Sequence, residues 1–253
     1  DGKGWRSGAQ IEVKEIDQWF IKITKYAEEL LSSLEELDWP ENVKLMQKNW
    51  IGKSHGAEIR YKIDKSDDFL TTFSTRPDTV FGVSFLAISP NHSLAIDLSK
   101  KDKNIFNFLE KCKEIKAAEA DMAKEEKLGI DTKIKVIHPI TGKKLPVWIG
   151  NFVLLDYGTG VVMGVPGHDL RDHEFATKYN LKIIQVIETK EDELPIIDKG
   201  ILINSDKYNG MSSEEATNKI IDNLIDLKCG EHLIQFRLRD WGVSRQRYWG
   251  CPI

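Results

Sequence analysis

Residues 133–167, KIKVIHPITGKKLPVWIGNFVLLDYGTGVVMGVPG, constrain most strongly what this chain can fold into. Short apolar runs alternate there with Pro and Gly, which interrupt helices and favour turns. The stretch therefore predicts several short strands. A further pair of runs, GAEIRYKID and DDFLTTFST, is separated by the turn signal KSDD and predicts a β-hairpin. LKIIQVI predicts one more strand.

Helical patterns are grouped between these strands instead of alternating with them. They are residues 16–38, which end before Pro40; a stretch that begins in SPNHSLAIDL and continues through NIFNFLEKCKEI and AAEADMAKEEKLG to a stop at Gly129; HDLRDHEFATKYN; and SSEEATNKIIDNLIDLKCG. In the last of these, Ser212 and Glu215 have the spacing of a capping box. Grouped helices and antiparallel-style strands favour an α+β fold, a β-barrel or sandwich with appended helices, over a doubly wound sheet.

The composition sets limits on compartment and partners. The chain of 253 residues has room for one large or two small domains, and it contains no apolar run of the length of a membrane helix. Its cysteines, Cys112, Cys229 and Cys251, are odd in number and far apart, which favours a reducing, cytosolic compartment over a disulfide framework. The net charge of −4 means that any contact with nucleic acid must be local. DGKGWRSGAQ lacks Met and the pattern of a signal peptide, so we expect a piece of a longer chain.

The first chemistry-bearing motif is STRPDT, residues 74–79. Pro77 fixes its own φ and biases Arg76 toward extended geometry, so the chain must turn here. Asp78 could cap that turn through its side chain, which would make the motif a structural corner. Alternatively the motif is a loop that lines a pocket with hydroxyl groups and one guanidinium. The residues alone leave both interpretations open.

The second motif is GTGVVMGVPGHDLRDHE, residues 158–174. Its glycines allow tight turns and close backbone approach. Asp169 and Asp172 would share a face in the first turn of a helix, where carboxylates are common and usually structural. A metal site built from His168, Asp169, Asp172 and His173 is a further alternative. We rank it low, because no third segment offers an obvious ligand set and the other histidines (His55, His92, His138 and His232) lie in unrelated contexts.

The third motif is the basic and aromatic tail. Its residues Arg237, Arg239, Arg245, Arg247, Trp241, Tyr248 and Trp249 could contact phosphates and stack on bases. A solvated basic face, or a segment that packs on another domain, would look the same.

These motifs together resemble the class I leucyl-tRNA synthetases, in the part that carries the inserted editing domain. STRPDTVFG is similar to the family's TTRPDT element, YGTGVVMGVPGHDLRD to its GTG…VPGHD…RD element, and DWGVSRQRYWGCPI to the return into the aminoacylation domain. The related isoleucyl and valyl enzymes typically lack Asp after TRP and have His-Gly where this chain has His168-Asp169. Ser74 departs from the family's usual Thr, and neither the HIGH nor the KMSKS signature occurs, so we expect no synthesis of leucyl-adenylate by this chain alone.

The resemblance implies a site that hydrolyses the ester of mischarged tRNA(Leu), such as norvalyl- or isoleucyl-tRNA(Leu), and spares Leu-tRNA. It implies that Thr79 excludes leucine and that Asp172 is the catalytic carboxylate that holds the α-ammonium group. It places Ser74, Thr75 and Arg76 at the reacting carbonyl. The residues that it implies for the pocket are Tyr157, Met163, Val165, Asp169 and Arg171. Because an aminoacyl ester is already activated, positioning of a water can suffice without a protein nucleophile.

The resemblance also implies the organisation of the chain and its partners. We expect a β-barrel-like editing domain with peripheral helices at 49–236, flanked by short segments of the synthetase catalytic domain. Residues 1–48, mainly one long helix, would lead in, and residues 237–253 would return. The expected partners are the 3′ end of tRNA(Leu) and a noncognate amino acid, and we expect a cytoplasmic monomer.

The same resemblance implies that editing uses no metal and no cofactor, since ATP and Mg serve only the absent aminoacylation domain of the parent leucine–tRNA ligase. GKGWRSGAQ lacks the paired cysteines of a zinc module, so no zinc is expected. Two other functions stay open: a tRNA-binding module that is inactive in isolation, and a metal-dependent hydrolase.

Overall fold

A computed structural model of the chain describes residues 4, 6–8, 17–114, 126–155, 158–189 and 193–243. The α-helices are α1 (Ala27–Ser33), α2 (Glu41–Ile51), α3 (Ser93–Ser99), α4 (Lys103–Glu114), α5 (Leu170–Lys178) and α6 (Ser213–Asp226). The strands are β1 (Phe20–Ile21), β2 (Lys53–Ile63), β3 (Phe69–Ser74), β4 (Phe85–Ile88), β5 (Gly129–Ile137), β6 (Lys144–Gly150), β7 (Val161–Gly164), β8 (Gly230–Phe236) and β9 (Trp241–Gly242). Short 3-10 helices span Ile23–Tyr26, Leu34–Glu36, Pro77–Gly82 and Asp206–Tyr208.

The chain divides into two compact units. One consists of Asp1–Lys53 with Phe236–Ile253, and the other is Ser54–Gln235. These limits describe the contacts within the chain, and the domain boundaries implied by the family resemblance stay a prediction.

The first unit differs from the single long helix predicted over residues 16–38. Within its described part, β1 pairs with β9, and α1 is a short helix between two 3-10 turns. Asp240 accepts hydrogen bonds from the backbone N–H and the hydroxyl of Thr24, at 3.2 and 2.7 Å, which holds the start of this helical stretch. The apolar spacing therefore predicts the helix correctly over Ala27–Ser33, but Phe20–Ile21 form a ladder with β9 instead, and residue 16 lies outside the described part. Helix α2, which the sequence patterns did not predict, begins directly after Pro40, its N-cap residue.

The second unit is built on a seven-stranded sheet. Its strand path is β3-β2-β5-β6-β4-β7, with β8 beside β2. The neighbours along this path pair antiparallel, except for the parallel pair of β4 and β6. The predicted hairpin is confirmed as β2 and β3. Along β2 the residues Ala57, Ile59 and Tyr61 are fully buried, so one face of the strand packs on the core.

The α+β class is confirmed, but closure into a barrel is not. The hydrogen-bonded path is open in the described residues, with β3 and β7 at its ends. These ends nevertheless approach each other, because the Thr159 hydroxyl donates to the Thr71 carbonyl. The sheet is therefore a strongly curved open sheet.

Two local predictions were wrong. LKIIQVI forms no strand, and it contributes only an isolated bridge between Ile187 and Leu202. Its backbone groups are taken by other partners, such as the His168 ring, which accepts from the Val186 N–H at 2.9 Å. Gly129 begins β5 instead of ending a helix, and the preceding residues 115–125 lie outside the described part of the chain.

The core supports the predicted corner. Helix α6 packs against the 3-10 turn Pro77–Gly82, and its Ser212 cap accepts from the Glu215 N–H at 3.2 Å, as the capping-box spacing predicts. The 3-10 helix Asp206–Tyr208, which precedes α6, adds a second contact, since the rings of Phe81 and Tyr208 lie 5.6 Å apart. Among the described residues, no helix is long and apolar enough to span a membrane.

Candidate active site

The corner begins where β3 ends at Ser74. The Ser74 hydroxyl accepts from the Arg76 N–H at 3.0 Å, and Pro77 occupies the first position of the 3-10 turn. The Thr79 hydroxyl donates to the Arg76 carbonyl at 2.8 Å, which fixes the rotamer of a side chain that is 1% exposed. Thr75 differs from its neighbours, because it is exposed and its side chain makes no hydrogen bond within the described residues. Of the corner hydroxyls, that of Thr75 is thus available to a ligand.

Arg76 and Asp78 form a fork-shaped ion pair inside the corner. The Nε atom lies 3.0 Å from Oδ1 and 3.3 Å from Oδ2, and Nη2 lies 2.9 Å from Oδ2. Asp78 is 1% exposed, so its carboxylate is buried with its counter-charge. The sequence suggested that the Asp78 carboxylate caps the turn by a hydrogen bond to a backbone N–H. It pairs with the Arg76 guanidinium instead, because this charge-assisted contact is stronger than a bond to a backbone N–H.

The helix start follows β7. Gly167 permits a close approach there, since a Cβ at this position would lie 2.4 Å from the Ile184 carbonyl oxygen. Asp169 is the N-cap of α5, and its Oδ1 accepts from the N–H groups of Arg171 and Asp172 at 2.9 and 3.1 Å. This is the structural role that helix-start aspartates commonly have. Arg171 is exposed, with its Nε 3.7 Å from the same oxygen.

Asp172 is in a different electrostatic position. It is 7% exposed and accepts from the Val165 N–H at 2.8 Å, and it has no ion pair with a basic residue among the described ones. Burial raises the pKa of Asp172 to about 7, and the neighbouring Asp169 carboxylate acts in the same direction, against the Val165 N–H and Arg171. A buried carboxyl group poised near neutrality is a common property of functional sites.

His168 joins the two motifs through backbone atoms. Its Nε2 accepts from Val186, so its Nδ1–H donates to the Ile196 carbonyl at 3.0 Å. Burial lowers the pKa of His168, in accord with this neutral tautomer. Next to this contact, the Arg76 Nη1 donates to the Ile197 carbonyl at 2.7 Å. Arg76 of the corner and His168 of the helix start therefore donate hydrogen bonds to two consecutive backbone carbonyls, those of residues 197 and 196.

The two motifs are also direct neighbours. A Cβ on Gly82, at the end of the 3-10 turn, would lie 3.6 Å from the Cδ2 atom of His168. The Ile196 N–H donates to the Gly167 carbonyl at 2.9 Å, which closes the connection. No sequence motif indicates this link, because backbone carbonyls carry no residue signature.

The metal-site alternative is disfavoured by the same hydrogen bonds. Both ring nitrogens of His168 are engaged with the backbone, and the Nδ1–H of His173 donates to the Pro166 carbonyl at 2.9 Å. A metal would have to displace these contacts before His168 could bind it. In the described ranges, no group of three or more His, Cys, Asp or Glu side chains is arranged to hold an ion.

The remaining predicted residues fall in three places. Met163 and Val165 are 7% and 8% exposed and belong to the core cluster beneath the site, where the Tyr61 hydroxyl lies 3.7 Å from the Met163 sulfur. Tyr157 lies outside the described residues, as do Arg245, Arg247, Tyr248 and Trp249 of the tail. Trp241 belongs to the first unit, where it is 56% exposed.

Fold and site together define an α+β domain in which a hydroxyl-rich corner adjoins a helix start with an unpaired buried carboxyl group. Residues 48–225 match the model of the family described as leucyl-tRNA synthetase, editing domain. The chain belongs to this family. The family recognised from the sequence motifs is thereby confirmed.

Relatives support the same assignment over the entire chain. It is 54% identical to the leucine–tRNA ligase of Hahella chejuensis and 52% identical to that of Marinobacter nauticus, and it is covered completely in both comparisons. The chain spans about 30% of the length of these relatives. A solved ternary complex, Agrobacterium radiobacter K84 agnB2 LeuRS-tRNA-LeuAMS, superposes with a TM-score of 0.76 at 35% identity, over 99% of this chain and 29% of that one.

Proposed function

We propose that this domain removes wrong amino acids from tRNA(Leu) by hydrolysing the aminoacyl ester after transfer, while it spares Leu-tRNA. The observation that carries the proposal is the buried carboxyl group of Asp172, which lies next to the hydroxyl-rich corner and has no ion pair with any described residue. A charge-assisted contact with the α-ammonium group of the amino acid would satisfy that carboxylate. The family membership supports the same reaction class.

In this mechanism the chain positions its reactants and supplies no nucleophile. Asp172 holds the ammonium group, and the free hydroxyl of Thr75 with Ser74 orients a water toward the ester carbonyl. The water adds to the carbonyl carbon, and the ester bond breaks to release the amino acid and the ribose hydroxyl. Arg76, which is occupied by Asp78 and Ile197, contributes chiefly by holding the corner in place. Negative charge develops on the carbonyl oxygen during this step. Hydrogen bonds from the Thr75 and Ser74 hydroxyls to that oxygen would then contribute most of the rate enhancement.

The pocket also has to reject leucine. A hydrophobic pocket separates near-isosteres by only about 1–3 kcal/mol, so a synthetase needs a second sieve. Thr79, held rigidly by its bond to the Arg76 carbonyl, would collide with the branched γ-carbon of leucine. Asp169, Arg171, Met163 and Val165 would shape the rest of the site, together with Tyr157.

The deciding experiment compares deacylation of Ile-tRNA(Leu) and Leu-tRNA(Leu) by this chain. We expect hydrolysis of the first and survival of the second. Thr79→Ala should allow cleavage of Leu-tRNA, whereas Thr79→Val, which keeps the volume and loses only the hydrogen bond to the Arg76 carbonyl, should retain more of the exclusion. No hydrolysis of Ile-tRNA(Leu) would favour the binding module over the enzyme, and loss of activity with a chelator would favour the metal-dependent hydrolase.

We further propose how the chain serves a longer leucine–tRNA ligase. Residues 49–236 would be the editing domain with a barrel-like sheet, and residues 1–48 and 237–253 would connect it to the catalytic domain. The family match over residues 48–225 and the compact unit Ser54–Gln235 support this division. The partner would be the 3′ end of tRNA(Leu), as the tRNA in the similar ternary complex suggests, and the protein would act as a cytoplasmic monomer without a cofactor for editing.

A further inference from the structure

The turn that carries Thr79 is held from outside the two motifs. His138 lies directly after β5, in the tight turn that leads to β6, and it is 2% exposed. Its Nε2 atom lies 2.9 Å from the carbonyl oxygen of Val80, the residue after Thr79. From the sequence alone, His138 is considered only as a metal ligand, and its contact with the turn is visible only in the structure.

The protonation pattern of the His138 ring follows from its neighbours. The Nδ1 atom accepts from the N–H groups of Ile140 and Thr141, at 3.1 and 3.2 Å. The proton of the neutral ring is therefore on Nε2, where it donates to the Val80 carbonyl. Burial lowers the pKa of His138, in the direction of this neutral form.

The ring is confined on its sides as well. Tyr61 meets it edge-on with ring centroids 6.1 Å apart, and Phe81 lies at 6.3 Å. Tyr61 belongs to the core strand β2, so the ring cannot move without repacking the core. The Val80 carbonyl thus accepts from a ring that is held in place by core residues, in addition to accepting from the Val83 N–H at 3.2 Å.

We propose that His138 is a positioning residue for leucine exclusion, which it serves by fixing the Val80 carbonyl and hence the position of the buried Thr79 side chain in the same turn. This inference rests on the proposed function of Thr79. His138 does not touch the substrate, and it acts only through the turn Pro77–Gly82. Loss of the bond lets the turn relax away from the pocket, so that the larger cognate side chain is admitted.

Two substitutions distinguish the role of the Nε2 donor of His138 from that of its Nδ1 acceptor. His138→Gln places an amide N–H donor near the position of Nε2 and keeps a donor for Val80. His138→Asn places an acceptor near the position of Nδ1 and keeps the turn at Ile140 and Thr141, but it is too short to reach Val80. The two variants are similar in polarity and both lose the ring packing, so each controls for the other.

The experiment measures kcat/KM of this chain for Ile-tRNA(Leu) and for Leu-tRNA(Leu), because their ratio is independent of the folded fraction. We expect His138→Asn to lower the preference for Ile-tRNA(Leu) about tenfold, the usual worth of one hydrogen bond, and His138→Gln to keep it within about twofold. An unchanged ratio in His138→Asn, or an equal loss in both variants, overturns the proposal. Thr79→Ala serves as the positive control, and if it too leaves Leu-tRNA intact, the proposed role of Thr79 fails instead.

A second measurement does not depend on activity. Amide exchange at Val83, whose N–H shares the Val80 carbonyl, should become about tenfold faster in His138→Asn than in His138→Gln. Equal exchange rates in the two variants would show that the ring does not hold the turn, whatever the enzyme does with tRNA.

Discussion

The corner and the helix start each bury one aspartate, and the two are balanced in opposite ways. Asp78 has a guanidinium against both oxygens, whereas Asp172 has a single backbone N–H and no basic partner in the described part of the chain. A paired buried carboxylate fixes a structure, while an unpaired one is costly until a ligand neutralises it. The contrast indicates that the corner supplies shape and the helix start supplies the charge that binds.

The sharpest way to break this contrast is to remove the unpaired carboxylate. We expect Asp172→Ala, and also Asp172→Asn, to lower deacylation of Ile-tRNA(Leu) by about 100-fold or more, as the loss of a buried charged contact does. Glu174→Gln, which removes an exposed carboxylate from the same helix, should leave the rate unchanged. Activity retained in both Asp172 variants would reduce Asp172 to a structural helix residue.

The paired carboxylate should give the opposite outcome. Asp78→Asn leaves Arg76 facing a neutral amide in a mostly buried site, and we expect a loss of about 3 kcal/mol in the free energy of unfolding. Urea denaturation at about pH 5 and about pH 8.5 should show a loss at both values. If the variant is as stable as the wild type, the ion pair does not hold the corner.

Asp172→Asn should instead stabilise the fold at high pH. The pKa of Asp172 in the folded state, about 7, lies above its ordinary value of 3.8, so the folded state binds the proton more tightly. Wild-type stability therefore falls as the pH rises from about 4 to about 7 and stays lower above that, by at most about 4 kcal/mol. The Asn variant lacks this fall but can still accept from Val165, and we expect a gain of about 2 kcal/mol at about pH 8.5 that shrinks at about pH 5. A gain of equal size at both pH values would exclude ionisation as its cause.

The smallest expected effects distinguish two hydroxyl groups within the corner, those of Thr75 and Ser74. Thr75→Val removes a hydroxyl that bonds to none of the described residues, and it should slow hydrolysis about tenfold with little change in stability. Ser74→Ala removes the acceptor of the Arg76 N–H as well as the second hydroxyl at the water, so it should cost about 1 kcal/mol of stability and also slow hydrolysis. Melting curves and single-turnover deacylation should be recorded for both variants. A larger loss of stability in Thr75→Val than in Ser74→Ala would contradict these roles.

The sequence was sufficient for the parts of the site that depend on residue type. The Arg-Pro-Asp corner, the helix start at Asp169 and the cap at Ser212 follow from local rules on proline, carboxylates and capping. It was insufficient where an apolar run has no strand partner, as in LKIIQVI, because the pattern of an extended segment is the same with or without a ladder. It also missed the contacts of His138, Ile196 and Ile197, since long-range bonds to main-chain carbonyls leave no pattern along the chain.

The grip of Arg76 and His168 on the carbonyls of Ile197 and Ile196 bears on how this region tolerates change. Both bonds end on main-chain oxygens, so side chains at these two positions can be exchanged while the grip persists. Adding or deleting one residue between them is a different matter, since it shifts the backbone by about 3.3 Å and turns the next oxygen to the other side. Substitutions at residues 196 and 197 are thus compatible with these two hydrogen bonds, whereas insertions or deletions between them are not.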